Sequence, residues 1–189
     1  MTNVEIAVCQ RHRLTVAEYY RMAEVGILSP EARVELIEGE VIDMPPIGSR
    51  HAGTVKYLTN RLMYAVGDRA IVSAQDPIFL DVHSEPQPDI ALLRPRSDFY
   101  RNAHPTPVDV LLVVEVADST LAYDTQIKLP LYARHHIPEV WLVDLVNQRL
   151  SIHCSPTASG FQDVQPHSNL STVTPLLLAG VMVDLSDLF

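Results

Sequence analysis

A chain of 189 residues with 47% apolar composition can bury one sizeable core and needs no second domain, so a single domain over 1–189 is expected. Its 14 Lys and Arg against 23 Asp and Glu give a net charge of -9, which argues against broad, non-specific attachment to a polyanion. No apolar run reaches the roughly 20 residues of a bilayer span and no signal-peptide pattern opens the chain, so a cytoplasmic protein without a membrane partner is expected. Cys9 and Cys154 stand far apart with no ligand spacing around them, so neither a disulfide framework nor a zinc knuckle is expected.

Thr15-Val-Ala-Glu18 has capping-box spacing and Gly26 offers a left-handed stop, predicting a first helix at 15–25. The β-prone runs Val34–Ile37 and Glu40–Asp43 flank Glu38-Gly39 and predict a hairpin. From Ser49, apolar residues at Ala52, Val55, Leu58, Leu62, Met63 and Val66 recur at helical spacing until Gly67, predicting a longer helix. Three strands are expected next, over 70–80, 89–93 and 109–117, the last apolar enough to lie centrally in a sheet. Asp124 is expected to cap a helix carrying Ile127, Leu131 and Ala133, with a kink or late start at Pro130. A strand pair over 139–145 and 149–154 follows, then a polar loop over 155–160, and an apolar tail over 174–189 that packs on the core.

Glu115 is the first anomaly, a carboxylate inside Val110-Leu-Leu-Val-Val-Glu-Val116, where an unpaired charge costs several kcal/mol or so. A protonated acid or an arginine partner would explain it without any function. Asp89 opens the preceding strand just after Pro88; alone it reads as a turn residue. If those strands are neighbours, Asp89 and Glu115 converge, and paired oxygen ligands with open positions suit Mg2+ or Mn2+ better than zinc. Lys128 stands one helical turn after Asp124. It reads either as half of an exposed ion pair with Asp124, worth no more than about 1 kcal/mol, or as a cation aimed at a phosphate or an attacking water.

Supporting positions are less sharply defined. His51, in the first turn of the long helix, can bond a phosphate or a carboxylate, and a purely structural histidine explains it equally well. Of the hairpin acids Glu35, Glu38 and Glu40, Glu38 belongs to the turn, and Glu40 is the candidate third acid from outside the core; Asp124 is a further supporting candidate. Arg94, Arg96 and Arg101 accompany Phe99 and Tyr100 and form the candidate nucleic-acid grip, with a plain loop as the alternative.

Val34-Glu-Leu-Ile-Glu-Gly-Glu40, Arg50-His51, Pro88-Asp89-Ile90, Val113-Val-Glu-Val116, Ser119-Thr120, Asp124, Lys128-Leu-Pro-Leu-Tyr132 and Ile137-Pro-Glu-Val-Trp-Leu-Val-Asp144 occur in this order. Together they resemble the Uma2 family, formerly DUF820, placed among restriction-endonuclease-like PD-(D/E)xK proteins, from about residue 13 to the C-terminus. The resemblance implies an α/β fold with an αβββαβ core, preceded by an N-terminal helix and β-hairpin addition before residue 45. It also implies that Asp89 is the acid of the PD motif and Glu115 that of (D/E)xK. The lysine expected two residues later is Ala117, and the resemblance implies that Lys128, on the following helix, supplies that charge instead. Two further departures are His135-His136 before Ile-Pro-Glu and the lack of an acid between His51 and Val66.

The expected function is therefore metal-dependent hydrolysis of nucleic-acid phosphodiester bonds, DNA favoured, with Asp89, Glu115 and Lys128 catalytic and Mg2+ or Mn2+ held by the two acids. The alternative is a non-catalytic binding or regulatory module that keeps the nuclease fold, which the acidic net charge favours. A serine or cysteine hydrolase finds no nucleophile-elbow pattern. The apolar tail also predicts a homodimer.

Overall fold

The structure, a computed structural model, describes residues 10–29 and 31–189; Cys9 lies outside them. Helix α1 (Val16–Glu24) starts at the predicted capping box, in which Glu18 N donates to Thr15 Oγ1 at 3.2 Å and Thr15 N to Glu18 Oε2 at 2.8 Å. Strands β1 (Val34–Ile37) and β2 (Glu40–Asp43) form the predicted hairpin, whose two turn residues both take positive φ, Glu38 at 51° and Gly39 at 84°. Helix α2 (Ser49–Val66) buries Val55, Leu58, Leu62 and Val66 and stops at Gly67. Among the described residues no helix is long and apolar enough to cross a membrane.

Six strands follow in spatial as well as chain order: β3 (Ile71–Ala74), β4 (Ile90–Leu93), β5 (Val110–Ala117), β6 (Glu139–Asp144), β7 (Arg149–Thr157) and β8 (Gly160–His167). All neighbours pair antiparallel except β5 and β6, which are parallel. A parallel pair needs a crossover, and here it is helical: α3 (Leu121–Tyr123), a π-helical turn (Asp124–Lys128) and α4 (Leu129–Arg134). Every residue of β5 is buried, because both faces of the sheet are covered. Leu112, Val114 and Val116 pack toward α2 and the C-terminal segment, including Val173, Val181 and Leu185. Val113 and Ala117 pack toward Leu131 and Tyr132 of α4 on the other face. The predicted αβββαβ order is thus α2, β3 to β5, the crossover helices and β6, with β7 and β8 extending the sheet.

Four local expectations need correction. The predicted strand over 70–80 stops at Ala74, because Gln75 turns the chain at φ 58° and Pro77 has no donor for a ladder. Strand β8 was hidden because its face is mostly exposed and Pro166 interrupts its pattern, which an edge strand tolerates. The region expected as a polar loop from Ser155 continues β7 to Thr157. Asp124 does not cap the crossover helix but lies inside it; the cap position is Thr120, whose hydroxyl donates to Asp124 Oδ2 at 2.7 Å. The irregularity expected at Pro130 appears just upstream, where the π turn bonds Leu129 N to Asp124 O.

Gly39 ties the hairpin to the rest of the chain. Its carbonyl accepts from Leu14 N at 3.0 Å and its N–H donates to His83 O at 2.8 Å. A Cβ at this position would lie 2.6 Å from Arg13 Cβ and would also have to tolerate φ 84°. Gly39→Ala is expected to cost about 2–4 kcal/mol of unfolding free energy, combining left-handed strain with overpacking. Urea denaturation of the purified variant measures it.

Candidate active site

The β4/β5 register pairs Ile90 with Val114, so one step further along places Asp89 opposite Glu115. Asp89 N lies 3.4 Å from Glu115 Oε2, and Asp89 Oδ2 accepts from Val116 N at 2.9 Å. The two acids predicted to converge therefore meet at one end of the central strands. They line a pocket of about 200 Å3 shared with His51, Asp124 and Lys128.

Lys128 is not the exposed partner of Asp124. Its side chain is 2% exposed, and Nζ lies 2.8 Å from Glu115 Oε1, 3.6 Å from Glu35 Oε2 and 3.5 Å from Gln87 O. The crossover brings it there: a parallel β5–β6 connection must lay its helix over the sheet, and Lys128 and Tyr132, four residues apart, both reach down onto Glu115. Tyr132 Oη donates to Glu115 Oε1 at 2.6 Å. The positive charge missing at Ala117 thus approaches the same carboxylate from the helix.

Glu35, rather than Glu40, is the third acid of this cluster. Glu40 is exposed on β2 and is not among the pocket residues. Glu35, five residues earlier, is 1% exposed and has both oxygens engaged: Gln87 N donates to Oε2 at 3.0 Å and Tyr123 Oη to Oε1 at 3.0 Å. The signal that singled out Glu115, a carboxylate in an apolar run, was present here too in Val34-Glu-Leu-Ile37.

His51 Nε2 lies 3.1 Å from Asp89 Oδ2, so His51 steadies the first acid. Nδ1 of the same ring is buried with no hydrogen-bond partner among the described residues. The hydrogen bond to Asp89 holds the His51 pKa above its ordinary value despite burial. Gly48, which precedes α2 and lines the pocket, offers no side-chain cap to the first N–H groups of that helix.

Arg94, Arg96 and Arg101 are not brought to the carboxylates. They follow Leu93, the end of β4 farthest from Asp89; Arg94 and Arg96 are committed locally, and Arg101 is exposed. Arg94 Nε donates to Val108 O at 2.9 Å, and Arg96 pairs with Asp98 while its guanidinium lies 3.8 Å from the centre of the Tyr100 ring.

Burial pushes Glu115 up to about 8, against the pull of Lys128. Burial pushes Asp124 up as well. It acts on Lys128 in the opposite sense, but the carboxylates of Glu115, Glu35 and Asp124 outweigh it and hold Lys128 well above its ordinary value. Five carboxylates line the pocket, those of Glu35, Asp89, Glu115, Asp118 and Asp124, against Arg33, Lys128 and, when protonated, His51. Such an excess of negative charge is relieved by a proton or by a cation.

The donor set fits a hard divalent cation. Among the described residues no hydrogen bond reaches Asp89 Oδ1, and only the long Asp89 N contact reaches Glu115 Oε2, so each acid keeps one oxygen for a metal. No three Asp, Glu, His or Cys side chains among the described residues form a complete cage. Two carboxylates with the remaining positions left to water and phosphate is a common arrangement for Mg2+.

The sequence profile of the Uma2 family, described as "Putative restriction endonuclease", matches residues 16–186. The chain belongs to the Uma2 family. Its fold is similar to the crystal structure of a protein from Anabaena variabilis titled a putative nuclease belonging to DUF820. That similarity has a TM-score of 0.71 at 17% identity and covers 93% of this chain and 97% of the other. No curated protein matches this chain. The restriction-endonuclease-like fold expected from the Uma2 motifs is thereby supported by both sequence and structure.

Because Lys128 is buried between carboxylates, Lys128→Met is expected to cost roughly 3–5 kcal/mol rather than the small loss of an exposed pair. The cost depends on pH through Glu115. A carboxyl whose folded pKa lies above its unfolded value favours the fold below the unfolded pKa and loses that advantage as pH rises through the folded value. Removing Lys128 raises the folded pKa of Glu115 further, so wild type and variant both hold that proton at pH 6 and the variant's deficit should grow only as pH rises past about 8, being larger at pH 9 than at pH 6. Parallel denaturant titrations at both pH values check this.

Proposed function

We propose that this Uma2 protein is a divalent-metal-dependent nuclease whose chemistry occurs at Asp89, Glu115 and Lys128. The observation that carries the reading is the ammonium of Lys128 placed 2.8 Å from Glu115, whose other oxygen faces Asp89 N, at one end of two adjacent strands. The family's description as a putative restriction endonuclease points to the same substrate, nucleic acid, with DNA favoured.

Asp89 and Glu115 would hold Mg2+ or Mn2+, which when bound supplies Lewis-acid charge to a phosphodiester and lowers the pKa of a water. Water adds to phosphorus, one P–O ester bond breaks, and the leaving oxygen takes up a proton. Lys128 keeps its own proton under the carboxylates around it and offers positive charge to the attacking oxygen and to the phosphoryl oxygens on which negative charge collects. His51 orients Asp89, and the uncapped first N–H groups of α2 present further positive ends to a phosphate oxygen.

The homodimer belongs to the same proposal but rests on a smaller surface than the whole tail. Val173, Val181, Val183, Leu185 and Leu188 are spent on the chain's own core, while Leu176, Leu177 and Met182 stay exposed. Light scattering at micromolar concentration should give twice the chain mass, and Met182→Glu should shift it toward monomer.

Wild type with Mn2+ should nick or degrade nucleic acid, and Asp89→Asn or Glu115→Gln should slow it by about a hundredfold or more. Mn2+ should also raise the melting temperature of wild type, with about 2.7 kcal/mol of stabilisation when the ion is at a hundred times its Kd. Both substitutions should abolish that shift. The net charge of -9 favours the second reading, a binding module on a nuclease fold. A wild type that binds Mn2+ and nucleic acid but cuts no DNA or RNA would establish it.

A further inference from the structure

We infer that the pocket takes its phosphodiester from an unpaired strand, a single-stranded or flapped nucleic acid, rather than from a continuous duplex. This rests on the nuclease reading of the same pocket. Three independent observations point to it: the depth of the reactive groups, the small number of cations around them, and the apolar character of one rim.

The reactive groups lie deep. Glu115 and Lys128 are 3% and 2% exposed, at the bottom of a cavity of about 200 Å3. A bent single linkage can lower its phosphate to that depth, whereas a phosphate fixed in a helix brings the neighbouring backbone and the opposite strand against the walls. An unpaired strand can bend one linkage inward without the cost of unstacking a duplex.

Charge works in the same direction. A duplex carries one negative charge per about 1.7 Å of axis and is gripped by spreading Lys and Arg along its backbone. The pocket offers Arg33, Lys128 and His51, while Asp118 and Asp124 stand on the same walls in a chain of net charge -9. This cation set serves one or two phosphates, and each further phosphate brought close meets net repulsion.

The rim supplies what a base needs. The connection from β2 to α2 runs Met44-Pro45-Pro46-Ile47-Gly48 along the pocket edge, with Ile47 40% exposed. Arg33 donates to Pro45 O, which holds this segment in place. An unpaired base can lie flat on the proline and isoleucine surface while its phosphate enters among the polar groups. A paired base presents no free face to it.

The test measures wild-type binding by fluorescence anisotropy in Ca2+, comparing a labelled single strand with the same sequence closed into a hairpin duplex. The single strand should bind at least about tenfold tighter, on the scale of one base contact. Ile47→Asp, on the exposed rim, should remove most of that preference while leaving the melting temperature unchanged. Equal or tighter duplex binding, or no binding to either, overturns the inference. So does Mn2+-dependent cleavage inside the paired stem as fast as in the single strand, an outcome that leaves the nuclease reading intact. Selective single-strand binding with no cleavage of any substrate upholds the strand preference and overturns the nuclease reading.

Discussion

The buried ion pair between Lys128 and Glu115 is the constraint on which the rest of the structure depends. Removing either group from water costs several kcal/mol or so, and only close pairing with full hydrogen bonding returns it. Here the return comes from three parts of the chain: Tyr132 on α4, Gln87 two residues before Asp89, and Glu35 on the hairpin. A shift in β5, in the crossover helix or in the hairpin would strand a charge. The three elements are thereby held to one arrangement, with Asp89 fixed beside them through Val116 N and His51.

This coupling makes the N-terminal addition part of the site rather than an appendage. Its hairpin supplies Glu35 and docks against the segment that leads into Asp89, where Glu85 N donates to Leu36 O at 2.8 Å. Helix α1 braces the same segment from outside, with Tyr20 Oη donating to Glu85 Oε1 at 2.6 Å. Gly39 permits the close approach that closes this layer. The αβββαβ core alone would leave Lys128 without Glu35, one of the two carboxylates within 4 Å of its ammonium.

The acidic balance of the chain and the concentration of its chemistry in one small pocket are consistent with each other. A protein that does not hold nucleic acid by a broad basic surface must rely on a few close contacts, and the pocket joins open carboxylate oxygens, one buried ammonium and an uncapped helix start. The arginines of the Arg94–Arg101 loop cannot provide the broader grip at this pocket, because β4 carries them to the opposite end of the sheet and Asp98 and Tyr100 occupy Arg96.

The sequence by itself determined whatever depends on local spacing and on burial of apolar runs. The capping box at Thr15, the Glu38-Gly39 turn, the face of α2 and the fully buried β5 were legible because each follows from a short-range pattern. Asp89 and Glu115 were legible because a charge at the start of one apolar strand and another within the next attract notice. The tertiary structure alone decided what those charges touch. Lys128 had an available partner four residues away in Asp124, and only the parallel crossover turned it inward to Glu115. Glu35 outranked Glu40 because β1, and not β2, is the strand of the hairpin that is buried, although the apolar run around Glu35 carried the same signal as that around Glu115. Strand β8 likewise depended on neighbours distant in the chain, since an exposed edge strand leaves little apolar periodicity in its own residues.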